Sequence, residues 1–139
     1  MTTSVEQNKS LVRRLMDEDL STGNLAVADE IIAPDFFDHT NPPGMQEGIA
    51  GHKAIVTLFR GAFPDMNWGV DDMIAEGDRV VARTTMTGTH LGELFGIPPT
   101  GKQVSMYGVH VLRIADGKIA EHWGSNDDLG LMRQLGVVP

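Results

Sequence analysis

Hydrophobic periodicity changes once along this chain, at Pro64, and that change restricts the fold more than any other feature. Before it, apolar residues recur at helical spacing. Val5, Leu11, Val12, Leu15 and Met16 mark a first helix that Thr3 and Glu6 can open as a capping box and Gly23 can close. Leu25, Ala28, Ile31 and Ile32 mark a second, with Asn24 as its cap and Pro34 as its end. Ala54, Ile55, Leu58, Phe59 and Ala62 form the stripe of a third, from about Gly51 to Phe63. After Pro64 the pattern is that of two hairpins. One turns at Glu76-Gly77-Asp78 and the other at Asp116-Gly117. Between them lies the Gly- and Pro-rich loop LGELFGIPPTGKQ, and Leu129 to Leu135 form a last helical turn before Gly136. Helices followed by antiparallel strands predict an α+β fold: one domain over residues 1–139, with a curved sheet wrapped around helices into a cone that encloses a small-molecule pocket.

Composition narrows the function. The chain has 139 residues and no cysteine, so disulfides and thiol chemistry are excluded. Its formal net charge of -8 disfavours a nucleic-acid partner. No segment reads as a signal peptide or a membrane span, which makes a cytoplasmic location the expectation. No His-x-x-x-His or Glu-x-x-His pair sits on a helix, so no metal site is expected.

Five histidines carry the candidate chemistry. Strand alternation puts His110 on one face with Met106, Gly108, Leu112 and Ile114. There it is either a satisfied core histidine or a pocket acid/base group. In IAEHWGSNDD, Ile119, Glu121 and Trp123 alternate with Ala120, His122 and Gly124. This predicts Glu121 and Trp123 on a packed face, Glu121 paired with Arg83 or Arg113, and His122 facing the cone between two small residues. A fully buried Trp123 would cost about 3 kcal/mol or more on truncation to alanine. Asp128 is expected to cap the last helix, leaving Asp127 to reach back towards a histidine. His52 reads as surface. His90 either ties down the Gly-Pro loop or touches ligand. His39, in the loop PDFFDHTNPPG, is either an ordinary polar residue or part of the pocket rim. Phe36, Phe37, Phe59, Met86, Leu94 and Phe95 are candidates to shape the pocket, with Trp123 beside it.

The segments AFPD, DDMIAEGDRVVARTTMTGTHLGELFGIPPTGKQV, GVHVLRIADGKIAEHW and GLMRQLG, in this order, resemble the SnoaL-like polyketide cyclases of the nuclear transport factor 2-like superfamily. The resemblance implies a cone-shaped α+β barrel, association into homodimers or larger homo-oligomers, and cofactor-independent acid/base chemistry on a hydrophobic, oxygenated small molecule. The founding reaction is an intramolecular aldol closure without metal or cofactor. His110 matches the pocket histidine of those cyclases. Their catalytic aspartate falls at or beside Gly124, which has no side chain. The resemblance therefore implies one of two things: Glu121, His122 or Asp127 supplies the proton transfer together with His110, or the protein does not carry out that cyclisation and holds a small molecule without turning it over. The outward strand face of Tyr107, Val109 and Val111 is the expected subunit interface.

Overall fold

The computed structural model describes residues 3–139. Within them the order is α1 (Val5–Arg14), a π-helical segment (Leu15–Leu20), α2 (Ala26–Ile31), β1 (Ile32–Asp38), α3 (Gly48–Ala62), β2 (Asn67–Glu76), β3 (Arg79–Thr89), β4 (Gln103–Ala115), β5 (Lys118–Asn126) and α4 (Asp128–Leu135). The capping box that opens α1 lies one residue beyond the expected pair. The Ser4 hydroxyl accepts the Gln7 N–H and the Gln7 side chain accepts the Ser4 N–H. Thr3 instead donates its hydroxyl to the Asn8 carboxamide. The helix continues into the π-helical segment, where the Ser21 N–H reaches back five residues to the Met16 carbonyl at 3.0 Å. Leu15, Met16 and Asp19 are buried there.

The five strands form one open mixed sheet, ordered β1-β5-β4-β3-β2. The two hairpins pair antiparallel as expected, whereas β1 pairs parallel with β5. β1 corrects the sequence reading, in which Ile32 belonged to the second helix, Pro34 ended it, and a loop followed. Pro34 is tolerated because β1 is an edge strand, where a missing N–H is not demanded by two neighbours. The register sets Phe37 opposite Glu121 and Asp38 opposite His122. The second hairpin turns through Asp116 (φ 51°) and Gly117 (φ 74°), the pair of left-handed residues that a tight twisted hairpin needs.

Helices cover the concave face of the sheet. Val12, Met16, Ile31, Phe63, Met86 and Leu112 are among the fully buried side chains between the layers. Alternation holds along β4, where Met106, Gly108, His110, Leu112 and Ile114 are buried. It fails at the start of β5. A register shift between Arg113 and Ile114 inserts a bulge. Ile119 therefore lies in the core, off the face of Glu121 and Trp123 that simple alternation assigned to it.

The loop after β3 is fastened by His90, which is fully buried. Its Nδ1 accepts the Thr100 N–H at 3.2 Å, and its backbone N–H donates to the Lys102 carbonyl. Among the described residues no helix is long and apolar enough to cross a membrane.

Candidate active site

A cavity of about 610 Å³ opens between the helices and the concave face of the sheet. Its walls are mostly apolar, with Leu15, Met16, Phe59, Trp68, Leu94 and Phe95 among them. Asp38, His110 and His122 cluster on its sheet side. Each comes from a different strand. Asp38 ends β1, His110 lies on the inner face of β4, and His122 lies on the inner face of β5. His110 is registered against Gly124 and Leu112 against His122, so the two imidazoles are diagonal neighbours on one face.

Their hydrogen bonds form a chain. His122 Nδ1 lies 2.8 Å from Asp38 Oδ1, and His122 Nε2 lies 2.9 Å from His110 Nδ1. The two rings are nearly parallel, with centroids 5.1 Å apart. Thr40 donates both its N–H and its hydroxyl to Asp38 Oδ1. An ionised Asp38 accepts only, so it places the His122 proton on Nδ1. With both rings neutral, His122 Nε2 must then accept, His110 Nδ1 must donate, and His110 Nε2 is left with the lone pair. That atom is buried beside the Asn126 side chain.

Burial, reinforced by the charge of His122, pushes His110 down to about 4, against smaller opposing effects of Asn126 and Asp38. Burial alone would raise Asp38, but the hydrogen bond and charge of His122, with the two Thr40 bonds, outweigh it and hold Asp38 lowered to about 2. At neutral pH the cluster therefore has an ionised carboxylate at one end and an unprotonated imidazole at the other.

Two glycines make room for it. A Cβ at Gly124 would lie 2.7 Å from His110 Nδ1 and 2.9 Å from His122 Nε2, too close to both ends of the bond joining the rings. A Cβ at Gly108 would lie 2.1 Å from Asn126 Oδ1 and 3.1 Å from His110 Nε2. Any side chain at position 124 would force this histidine pair to shift.

The other expected site residues are distributed differently. Of the expected ligand-contacting residues His39, Phe37, Phe59, Met86, His90 and Trp123, the cavity wall includes Phe59 alone. Met86 is sealed in the core, and His90 is occupied with its loop. Glu121 faces away from the cavity. Arg113 Nε donates to its Oε1 at 2.7 Å, and His39 Nε2 lies 2.6 Å from its Oε2. Arg113 first and His39 second hold Glu121 below the usual carboxylate range. The His39 ring stacks on Trp123 at 4.6 Å, Arg79 lies over the indole at 5.0 Å, and Phe37 packs its edge on His39. Trp123 is thus half-buried on the outer sheet face, not in the core. Asp127 caps α4 by accepting the Gly130 N–H at 2.9 Å, and it is Asp128 that borders the cavity. Burial, and secondarily the Asp127 charge, raise Asp128. The helix begins one residue earlier than expected, which exchanges the two roles.

Sequence reasoning gave no role to Asp38, Asp19 or His52. His52 is buried, lines the cavity and bonds Asp19. The signal was present: His52 precedes Ile55, Val56 and Phe59 at helical spacing, and Asp19 follows Leu15 and Met16 in the same way. Asp38 carried no such signal, because its place depends on a pairing between strands more than eighty residues apart. Among the described residues no group of three or more metal-ligating side chains is arranged to hold an ion. His110 and His122 direct their facing nitrogens at each other, not at a common point.

Fold and cavity together define a small α+β protein that encloses an apolar chamber against a buried acid/base cluster. The chain belongs to the SnoaL-like polyketide cyclase family, whose sequence pattern matches residues 10–135. It is 38% identical over 121 residues to nogalonic acid methyl ester cyclase of Streptomyces nogalater, covering 84% of this chain and 88% of that one. It is 34% identical over 132 residues to aklanonic acid methyl ester cyclase DnrD of Streptomyces peucetius, covering 91% and 88%. Among solved structures, TsrD from Streptomyces laurentii superposes with a TM-score of 0.90 at 29% identity, covering 98% of this chain and 99% of that one.

Proposed function

We propose that this polyketide cyclase closes a carbon ring in a polyketide-derived ester by intramolecular aldol addition, with His110 as the base. One observation carries the reading: a hydrogen-bonded series, Asp38–His122–His110, runs along the sheet-side wall of an apolar cavity. A carbon flanked by carbonyls is acidic enough for such a base. His110 Nε2 takes its proton, His110 Nδ1 passes one to His122, and the imidazolium formed there rests against Asp38. The positive charge thus moves from the dry wall to a carboxylate that stabilises it. The cavity contributes by folding the chain so that nucleophilic and electrophilic carbons meet. Its volume is in the range that small-molecule sites use.

The experiment is turnover of nogalonic acid methyl ester, followed chromatographically, by wild type and by H110Q, H122Q and D38N. Loss of His110 should slow ring closure by about 10²–10⁴-fold. An H110Q rate within threefold of wild type sinks the assignment. We also propose a homodimer through the outer sheet face. Ile74, Val81, Val111 and Trp123 follow one another across it in register, and Tyr107 and Val109 are exposed beside them. Light scattering that gave a monomer at micromolar concentration would count against the dimer.

A further inference from the structure

On the helix side of the same cavity lies a second Asp–His unit that the base series does not use. His52 Nε2 is 2.7 Å from Asp19 Oδ1, and the two side chains are 8% and 0% exposed. Asp19 Oδ2 is buried without a hydrogen-bond partner. His52 itself lines the cavity, and Phe36 packs edge-on to its ring. Both residues are held by unusual backbone. Asp19 lies in the π-helical segment, a rare widening that recurs at functional sites. His52 follows Gly51, where a Cβ would lie 1.8 Å from the Gln46 carbonyl oxygen, so the chain closes tightly against the first turn of α3.

A purely structural role explains this pair poorly. A buried ion pair stabilises little unless its remaining polar atoms are satisfied, and well-packed apolar residues usually do as well. Here one carboxylate oxygen has no donor. What the arrangement does supply is a counter-charge behind a ring whose other nitrogen, Nδ1, Asp19 leaves free. We propose that His52 is a second catalytic residue, the acid that protonates the electrophilic carbonyl oxygen during ring closure, and that Asp19 is its positioning residue.

This rests on the aldol reading above and completes its balance. His110 Nε2 takes a proton from the nucleophilic carbon, and that carbon's electron pair forms the new bond to the carbonyl carbon. The C=O π pair moves to oxygen, which takes the Nδ1 proton of a His52 imidazolium, leaving the neutral ring with its Nε2–H on Asp19. Substrate and product are isomers. Exchange with water returns the proton gained at His110 and replaces the one lost from His52. Sheet and helix layers thus act on the two reacting ends from opposite walls.

Two half-reactions separate the roles. In D2O, the base alone places deuterium in unreacted nogalonic acid methyl ester, whereas ring closure needs both groups. H52Q, which keeps a donor for Asp19, and D19N should slow closure at least tenfold while leaving deuterium incorporation within twofold of wild type. H110Q should lose both. Closure within threefold of wild type in both variants, or exchange and closure falling together, overturns the assignment. A wild-type protein inert in both assays overturns the aldol reading and this inference with it. If neither variant folds, wild-type protein labelled with ¹⁵N-histidine decides the matter. Adding the ring-closed ester should shift the His52 ring nitrogens, and shifts confined to His110 and His122 would refute the proposal.

Discussion

Replacing Gly124 by alanine is the smallest change that tests the histidine pair. The added Cβ would lie 2.7 Å from His110 Nδ1 and 2.9 Å from His122 Nε2, where 3.4–4 Å is ordinary contact. Neither ring has an easy retreat. His122 is held at its other nitrogen by Asp38, and His110 has the Trp68 ring edge-on at 5.5 Å. The bond between them must open. Leaving its buried partners unsatisfied costs about 2 kcal/mol. Gly124 does not have a left-handed φ, so its backbone accepts alanine, and restriction of the unfolded chain returns about 0.7 kcal/mol. The net loss is about 1 kcal/mol, or roughly 4 °C in melting temperature for a domain of this size. Catalysis should suffer more. With the proton path cut, His110 no longer has its tautomer set by Asp38, and closure should slow by about 10²-fold. Thermal melts and turnover of nogalonic acid methyl ester on one preparation read both effects. Wild-type turnover in a G124A protein of unchanged melting temperature would refute the idea that this glycine exists to admit the pair.

Four further outcomes are expected. His110 is lowered from an ordinary 6.5 to about 4, so between those values the unfolded chain binds more protons than the folded one, and stability must fall as pH falls through that window; urea titrations from pH 7 to 4 should show this slope, flattened in H110Q. Because the base must be unprotonated, the acid limb of kcat/KM should lie near the same lower value. In the monomer, at protein concentrations below those at which light scattering detects the dimer, Trp123→Ala should cost about 1 kcal/mol by chemical denaturation, the scale of a half-buried stacking and cation–π contact, and a loss above 3 kcal/mol there would mean that the indole belongs to the protomer's core. Glu121→Gln should leave turnover within twofold of wild type, since Glu121 meets Arg113 and His39 outside the cavity; a hundredfold loss would place it in the machinery.

Local pattern alone determined a good deal of this protein. Helical spacing before Pro64 and the Gly turns after it define an α+β chain. Strand parity puts His110 among Met106, Leu112 and Ile114, and puts His122 between Ala120 and Gly124. These are short-range properties, written within a few residues of where they act. Tertiary structure decided the rest. β1 exists because β5 offers it an edge, so its Pro34 and its lack of alternation misled, and Asp38 became visible only in register with His122. The bulge opposite Arg113 moved Ile119 into the core, a shift that period-two counting cannot contain. Asp19 and His52 each lie on an apolar helix stripe in the sequence, but nothing in either stripe says that the other residue is its partner. Gly124 shows the division best. In the sequence it is a small residue two places after His122; in the fold it is the space in which two imidazoles meet. What a side chain does depends on the atoms opposite it, and in this site those atoms come from distant parts of the chain.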